Sequence, residues 1–241
     1  MLSGDRTALV VGASRGIGRA TADELTLAGY RVWTASRGIA PGPLAHRVDV
    51  RDDADVERLR QVVTADAGGL DLLVITAGSA VLGRVGDITP DDLSRMLAEH
   101  VVGGYRITRA LRAPLAARRG QVIFLLSRMG RAPRRHGHAY GTAKAALAHL
   151  AGCLALDLAD DGIRVNCVSP GAVDTDMLRT ALPSADPRHA LRSGQVARLI
   201  VELAGPTFAG VNGTIVDVPG APMPLKEESC PVPSRSSTRP S

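Results

Sequence analysis

Three residues with hydroxyl or amine groups, Ser127, Tyr140 and Lys144, are spaced in a way that suits proton transfer. Tyr140 and Lys144 are four residues apart, so on a helix they share one face and lie one turn from each other. An ammonium group beside a phenol favours the phenolate, which lowers the pKa of the tyrosine and lets it exchange a proton near neutral pH. We therefore expect Tyr140 to act on a carbonyl or alcohol, with Ser127 holding the reacting oxygen. A tyrosine and a lysine at this spacing also suit a solvent-exposed helix face.

The segments around these residues predict where they lie. Residues 121–126 form a short apolar run typical of a buried strand, and residues 143–150 form an alanine-rich helical pattern. Ser127 is thus expected at the carboxyl end of a strand, and Tyr140 and Lys144 at the start of the next helix.

A second chemical signal is a glycine-rich loop near the amino terminus. Gly12, Gly16 and Gly18 follow an apolar strand over residues 7–11 and precede a helical pattern that runs to about residue 28. Glycine allows positive φ and a close approach of backbone to a pyrophosphate, and the helix N-terminus offers free N–H groups to phosphates. The pattern predicts a dinucleotide-binding site, with a simple tight turn as the alternative.

The end of the second strand, residues 31–35, bears on which dinucleotide binds. NAD-binding sites place an acidic residue about here to hold the ribose 2′-hydroxyl, whereas this chain has Ser36 and Arg37, with Arg15 inside the glycine loop. No carboxylate is expected to repel a 2′-phosphate, and two guanidinium groups could bind one. We predict NADP(H); the alternative is two exposed arginines without a ligand.

Together, the glycine loop and the spacing of Ser127, Tyr140 and Lys144 resemble the short-chain dehydrogenase/reductase family, and the resemblance covers about residues 5–220. It implies hydride transfer between NADP(H) and a carbonyl or secondary alcohol. Tyr140 would be the acid/base, Lys144 would bind the nicotinamide ribose and Ser127 would orient the substrate oxygen. The resemblance also implies a set of cofactor-binding residues: Gly12, Ser14, Arg15, Gly16, Ile17, Gly18, Ser36, Arg37, Asp49, Val50, Ala77, Gly78, Tyr140, Lys144, Pro170, Gly171, Val173 and Thr175.

The chain departs from the family pattern in two places. Ile75 and Thr76 stand where the family has two asparagines before Ala77 and Gly78. His100 stands where the family has an asparagine that supports a water-linked proton path. His100 either keeps that catalytic relay in altered form or fills a helix–helix contact. These departures leave open a non-redox enzyme on the same scaffold, such as an isomerase, dehydratase or cyclase, or an NADP-binding regulatory protein.

Strands and helices alternate along the chain, which predicts an α/β fold with a doubly wound (Rossmann) parallel sheet of about seven strands and helices on both faces. One domain is expected over residues 1–220. Residues 38–45 contain two prolines and two glycines, so the crossover helix after the second strand should be shortened or lost. Residues 221–241 are rich in proline and serine and are predicted to be a disordered tail.

Composition limits the class of partner. The 241 residues carry a net charge of +5 without runs of Lys and Arg or interleaved aromatics, which argues against a nucleic-acid binder. Three scattered cysteines predict neither a metal site nor a disulfide framework, and no signal peptide or membrane span is expected, so we expect a cytoplasmic protein.

The family habit of pairing two long helices, here over residues 90–117 and 139–159, implies a homo-oligomer, either a dimer or a tetramer. The remaining partner would be a small carbonyl or alcohol substrate.

The loop between Ser127 and Tyr140 gives one indication of substrate chemistry. It borders the expected substrate site and is unusually rich in basic residues: Arg128, Arg131, Arg134, Arg135, His136 and His138. These residues either form a solvated surface or receive an acidic, phosphorylated or carrier-bound substrate.

Overall fold

The computed structural model of the protein describes residues 6–220, and the predicted tail over residues 221–241 lies outside them. The strands are β1 (Arg6–Val11), β2 (Tyr30–Ser36), β3 (Ala45–Arg47), β4 (Leu72–Ile75), β5 (Gln121–Leu125), β6 (Arg164–Pro170), β7 (Val173–Asp174), β8 (Leu191–Arg192) and β9 (Ile215–Val218). The α-helices are α1 (Gly16–Leu27), α2 (Asp53–Ala67), α3 (Pro90–Leu97), α4 (Gly103–Ala110), α5 (Arg112–Arg118), α6 (His138–Asp157), α7 (Asp176–Ala181) and α8 (Ser193–Leu203).

Seven of the strands form one sheet in the order β3-β2-β1-β4-β5-β6-β9, and every pairing in it is parallel. The predicted doubly wound sheet is confirmed. Strand order reverses between β1 and β4, and in such sheets ligands bind outside the carboxyl ends of the strands at this point. Strands β7 and β8 form a separate parallel pair beyond the end of β6.

The core lies on both faces of the sheet, because successive side chains of a strand point to opposite sides. In β1, Leu9 and Val11 join an apolar cluster with residues of α2, α4 and α6. Ala8 and Val10 join a second cluster with residues of α1 and α8. The sheet is thus covered by helices on both sides, as predicted.

The connection between β2 and β3 contains no helix, which confirms the predicted loss of that crossover. Gly42 and Ala45 form an isolated bridge within it, and Thr34 N donates to Leu44 O at 2.8 Å. The loop therefore lies against the lateral edge of the sheet, beside β2 and β3. Ser36 ends β2, so Ser36 and Arg37 lie at the carboxyl end of the strands, next to the glycine loop.

The long helix expected over residues 90–117 is interrupted. Thr89 caps α3 in a capping box with Asp92, with Pro90 in the first turn. A π-helical turn, Ala98–Val102, then separates α3 from α4. Such turns insert an extra residue into a helix and are frequent at functional sites. This one carries Glu99 and His100, and both side chains are buried.

Candidate active site

The glycine loop packs tightly against the end of β4. Gly12 has φ of +99°, and a side chain there would come within 2.5 Å of Ala77 N. A side chain on Gly18 would collide with the carbonyl oxygen of Gly12. The N-cap residue of α1, Arg15, makes no side-chain capping bond. The first turn of α1 therefore keeps N–H groups available for an anion, which fits a pyrophosphate.

A cavity of about 630 Å³ lies outside the carboxyl ends of the strands, beside this loop. Every residue of the predicted catalytic and cofactor-binding sets lines it except Lys144 and His100. Residues that are far apart in the sequence, from Ser14 to Thr175, therefore line one cavity. Lys144 and His100 are each 3% exposed and do not line it.

Ser127 and Tyr140 both line the cavity, and the Ser127 hydroxyl is near enough to the phenol to lower its pKa. Ser127 begins a single 3₁₀ turn after β5, and its Oγ accepts a hydrogen bond from Met129 N at 3.2 Å. Tyr140 lies in the first turn of α6, as expected. The arrangement places two hydroxyl groups where a substrate oxygen could contact both.

Lys144 does not affect Tyr140 as the sequence predicted. Its Nζ donates to Leu125 O at 2.7 Å and lies 5.7 Å from the centroid of the Tyr140 ring. Burial lowers the pKa of Lys144 to about 7. Burial also raises the pKa of Tyr140 to about 12, against the opposing effect of the Ser127 hydrogen bond. The expected lowering of the Tyr140 pKa is therefore wrong for this arrangement, because desolvation of the phenol dominates.

His100 lies beside Tyr140, with the two ring centroids 5.6 Å apart in an edge-on arrangement. Its Nε2 is 2.8 Å from Ser79 O, a carbonyl that can only accept, so Nε2 carries the proton. Burial, followed by the charge of Lys144, lowers the pKa of His100 to about 3. His100 is thus a neutral ring whose Nδ1 has no hydrogen-bond partner among the described residues.

Sequence analysis missed Glu99, a buried carboxylate that lines the cavity. Its Oε2 accepts hydrogen bonds from Ser79 N at 3.0 Å and Ser79 Oγ at 2.7 Å. Its Oε1 lies 3.4 Å from Nη1 of Arg37 and 4.0 Å from Nη1 of Arg51. The expectation that no carboxylate faces the Arg37 site is therefore wrong. The only sequence signal was an acidic residue next to His100 in an otherwise apolar helix segment.

Arg51 also holds Asp49, one of the expected cofactor-binding residues. Arg51 Nη2 lies 2.6 Å from Asp49 Oδ2, and this hydrogen-bonded pairing lowers the pKa of Asp49 to about 2. Asp49 is therefore ionised at any physiological pH. Arg15, on the other side of the cavity, lies 3.9 Å from Asp176, and both side chains are exposed.

The turn after β6 closes the far side of the cavity. Gly171 N donates to Val218 O at 2.8 Å, and a side chain on Gly171 would collide with Pro219 O. Thr175 caps α7 by accepting from Leu178 N at 3.3 Å. The cavity-lining residues of α7 and the residue after it are mostly apolar: Asp176, Met177, Leu178, Ala181 and Leu182.

The basic loop divides into two groups. Arg128 and Arg134 line the cavity, whereas Arg135, His136 and His138 do not. Arg131 instead pairs with Asp217 of β9 at 2.5 Å.

The comparisons with known proteins agree with this geometry. The family model described as short chain dehydrogenase matches residues 6–185. The chain is 36% identical over 181 residues, 73% of each chain, to 2,3-dihydro-2,3-dihydroxybenzoate dehydrogenase of Escherichia coli. It is 32% identical over 232 residues, 90% of this chain and 96% of the other, to the cyclic-di-GMP-binding biofilm dispersal mediator protein of Escherichia coli.

Solved structures share the fold. A structure described as ribose-5-phosphate isomerase from Brucella melitensis superposes with a TM-score of 0.79 at 31% identity, covering 89% of this chain and 91% of that one. ElxO with NADP bound superposes with a TM-score of 0.81 at 22% identity, covering 90% and 98%. With the glycine loop, the serine–tyrosine pair and the match over residues 6–185 in one chain, this protein belongs to the short-chain dehydrogenase/reductase family.

Proposed function

We propose that the protein is an NADP(H)-dependent oxidoreductase that transfers hydride between the nicotinamide and a carbonyl or secondary alcohol. The observation that carries this proposal is the presence of Ser127 and Tyr140 together on the same cavity as the glycine loop. An acid/base placed beside a dinucleotide site suits hydride transfer, because reduction of a carbonyl needs one hydride and one proton.

Bound NADPH supplies the hydride to the carbonyl carbon, and the chain supplies the proton. Tyr140 donates its phenolic proton to the carbonyl oxygen, while Ser127 holds that oxygen by a hydrogen bond. The carbonyl becomes an alcohol and the phenolate is reprotonated from solvent. A phenol whose pKa is raised to about 12 stays protonated at neutral pH, so it is ready to act in the reducing direction.

Lys144 and His100 are buried beside the catalytic tyrosine. The Lys144 ammonium has three N–H donors and Leu125 O takes one of them, so others can bind the nicotinamide ribose. His100 holds the loop after β4 through Ser79 O and packs edge-on against Tyr140. We propose a positioning role for His100, because its neutral Nδ1 could relay a proton only through water.

Several residues support NADP(H) over NAD(H). Arg37 and Arg15 line the cavity at its Ser36 and glycine-loop sides, where a 2′-phosphate would lie. Guanidinium groups bind phosphates through paired hydrogen bonds. Glu99 opposes this preference by pairing with Arg37, so we expect NADPH to be favoured without complete exclusion of NADH. Steady-state rates with both cofactors test the preference, and a preference for NADH would contradict it.

Two alternatives follow from the relatives. One similar structure is described as an isomerase, which corresponds to a non-redox enzyme. One relative is described as a cyclic-di-GMP-binding mediator protein, which corresponds to a nucleotide-binding regulatory protein, here one that binds NADP. The hydroxyl groups of Ser127 and Tyr140 on one cavity favour an enzyme, since binding alone does not require them. Product formed without consumption of cofactor would identify the non-redox enzyme.

We also propose that the protein is a cytoplasmic homo-oligomer with a small-molecule substrate. Leu156 on α6 is 78% exposed and Tyr105 on α4 is 46% exposed, which are large apolar surfaces to leave in water. Cys153 and Cys167 are unpaired thiols, as a reducing compartment would keep them. Within residues 6–220, no helix combines the length and apolar character needed to cross a membrane. Analytical ultracentrifugation tests the assembly, and a monomer at all concentrations would contradict it.

A further inference from the structure

The cavity wall carries more guanidinium groups than carboxylates. Each of its three carboxylates faces a guanidinium group within 4.0 Å: Asp49 faces Arg51, Glu99 faces Arg37, and Asp176 faces Arg15. Two further arginines on the wall, Arg128 and Arg134, form no side-chain hydrogen bond or ion pair with any residue in the described part of the chain. The cavity therefore has two unpaired cationic groups at one end.

These two arginines lie at the end where the chemistry is expected. Arg128 directly follows Ser127 in the 3₁₀ turn after β5. The loop that carries Arg134 is anchored on both sides. Arg131 pairs with Asp217, and His136 O accepts from Gly83 N at 3.0 Å. The anchored loop holds Arg134 at the cavity, although this residue is also exposed to solvent.

The rest of this end of the cavity is apolar. Five residues from three segments line it: Leu82, Met129, Met177, Leu178 and Leu182. Arg128 is partly buried, so water screens its charge less than that of a fully solvated arginine and it attracts an anion more strongly. Arg134 is exposed and adds a second positive charge to the same cavity. The site thus combines a hydrophobic surface with two cationic groups.

We propose that the substrate carries an anionic group, a carboxylate or a phosphate, that Arg128 and Arg134 bind while its carbonyl or hydroxyl lies at Ser127 and Tyr140. The proposal rests on the proposed function and adds the chemical class of the substrate. Guanidinium groups suit either anion, because both present two oxygens to the paired N–H donors of arginine. The apolar wall would contact the carbon skeleton between the anionic group and the reacting carbon.

The test uses matched pairs of compounds with the full-length protein and NADPH. Oxocarboxylic acids of increasing chain length are compared with their methyl esters, and an oxoalkyl phosphate with the corresponding alcohol. The variants are Arg128→Gln and Arg134→Gln. Arg135→Gln is the control, because Arg135 is the next residue in the same loop, carries the same charge and does not line the cavity.

We expect kcat/KM to favour an anionic compound over its neutral partner by about tenfold or more, which corresponds to about 1.4 kcal/mol. Arg128→Gln and Arg134→Gln should each remove most of that preference, and Arg135→Gln should keep it. Whether acids or phosphates benefit more identifies the anion. Equal use of charged and neutral partners by the wild type would overturn the proposal, and so would an equal loss in Arg135→Gln.

The experiment distinguishes failure of the anion site from failure of the proposed oxidoreductase function. Turnover of the esters as fast as the acids would leave a reductase without an anion site. If NADPH is consumed with no compound, calorimetric titration of each acid and its ester into the NADPH-bound protein decides the anion site alone. Tighter binding of the acid, lost in Arg134→Gln, would support the site in a non-redox enzyme; equal binding would overturn it.

Discussion

Arg37 Nη1 lies 3.4 Å from Oε1 of Glu99, although the two residues are 62 positions apart in the chain. Glu99 is 4% exposed and is further held by Ser79, so its carboxylate is fixed in place. A fixed carboxylate beside Arg37 reduces the positive field that a 2′-phosphate would meet. Glu99 is therefore expected to limit the preference for NADP(H) that Arg37 creates.

Replacing Glu99 with glutamine tests this relationship, since Gln keeps an acceptor for Ser79 and removes the charge. We predict that Glu99→Gln raises the ratio of kcat/KM for NADPH to that for NADH by about tenfold, the effect of roughly 1.4 kcal/mol of relieved repulsion. Asp23→Asn removes one charge from an exposed pair with Arg19 outside the cavity and should leave the ratio unchanged. An unchanged or lower ratio in Glu99→Gln would refute the role of this carboxylate.

The Ser127 hydroxyl is predicted to matter for turnover and not for cofactor binding. Removing a hydrogen-bond donor to a reacting oxygen typically costs a factor of 100 or more in kcat, so Ser127→Ala should lose about 100-fold. The Kd for NADPH, measured by calorimetry, should stay within about twofold. Ser127→Thr keeps a hydroxyl and should retain more activity than the alanine variant. Equal rates for wild type and Ser127→Ala would remove Ser127 from the mechanism.

Because burial lowers the pKa of His100, we predict that the free energy of unfolding depends on pH. Its pKa is lowered to about 3 in the folded protein, whereas the unfolded chain takes up the proton near the ordinary value of 6.5. The unfolded state therefore binds more protons between these two values, so stability is fully present above about pH 6.5 and falls as the pH drops toward 3. From pH 7 to pH 5 this histidine alone should cost about 2 kcal/mol.

Urea unfolding of His100→Asn checks this sign and size. The variant should lose about 2 kcal/mol less than the wild type over the same pH interval, whatever its stability at pH 7. His149→Asn, which alters an exposed histidine on α6, should keep the wild-type dependence. A wild-type slope in His100→Asn would show that His100 does not carry the effect.

Two glycines are predicted to respond to alanine in opposite directions. In Gly18→Ala the new methyl group would meet Gly12 O and lie 2.5 Å from Thr76 Oγ1, so α1 must move away from the loop. This should cost about 1–3 kcal/mol of unfolding free energy and weaken NADPH binding. Gly152→Ala, inside α6 with no atom within 4 Å, should stabilise by about 0.5–1 kcal/mol. Equal stability of Gly18→Ala and the wild type would contradict the close packing.

Much of the fold follows from local pattern. The alternation of apolar strands and helices predicted the parallel sheet, and the prolines between β2 and β3 predicted the missing crossover helix. The common location of Ser127 and Gly12 followed as well, because the carboxyl ends of parallel strands meet at one edge. These features depend on residues close together in sequence or on rules of chain topology.

The parts that could not be predicted depend on contacts between distant segments. Glu99 is ordinary as a helix residue, and only the fold brings it to Arg37. The pKa of Tyr140 also depends on tertiary burial, whereas the sequence predicted that Lys144 would dominate it. Its ammonium instead donates to Leu125 O, a contact that spacing along α6 does not reveal.

The central claim is that Tyr140 supplies the proton for hydride transfer from NADPH. Its most direct test is consumption of NADPH by the wild type and by Tyr140→Phe against a panel of ketones and quinones. We predict turnover by the wild type, and in Tyr140→Phe a loss of about 1000-fold or more with NADPH binding retained. Normal turnover by Tyr140→Phe would contradict the mechanism.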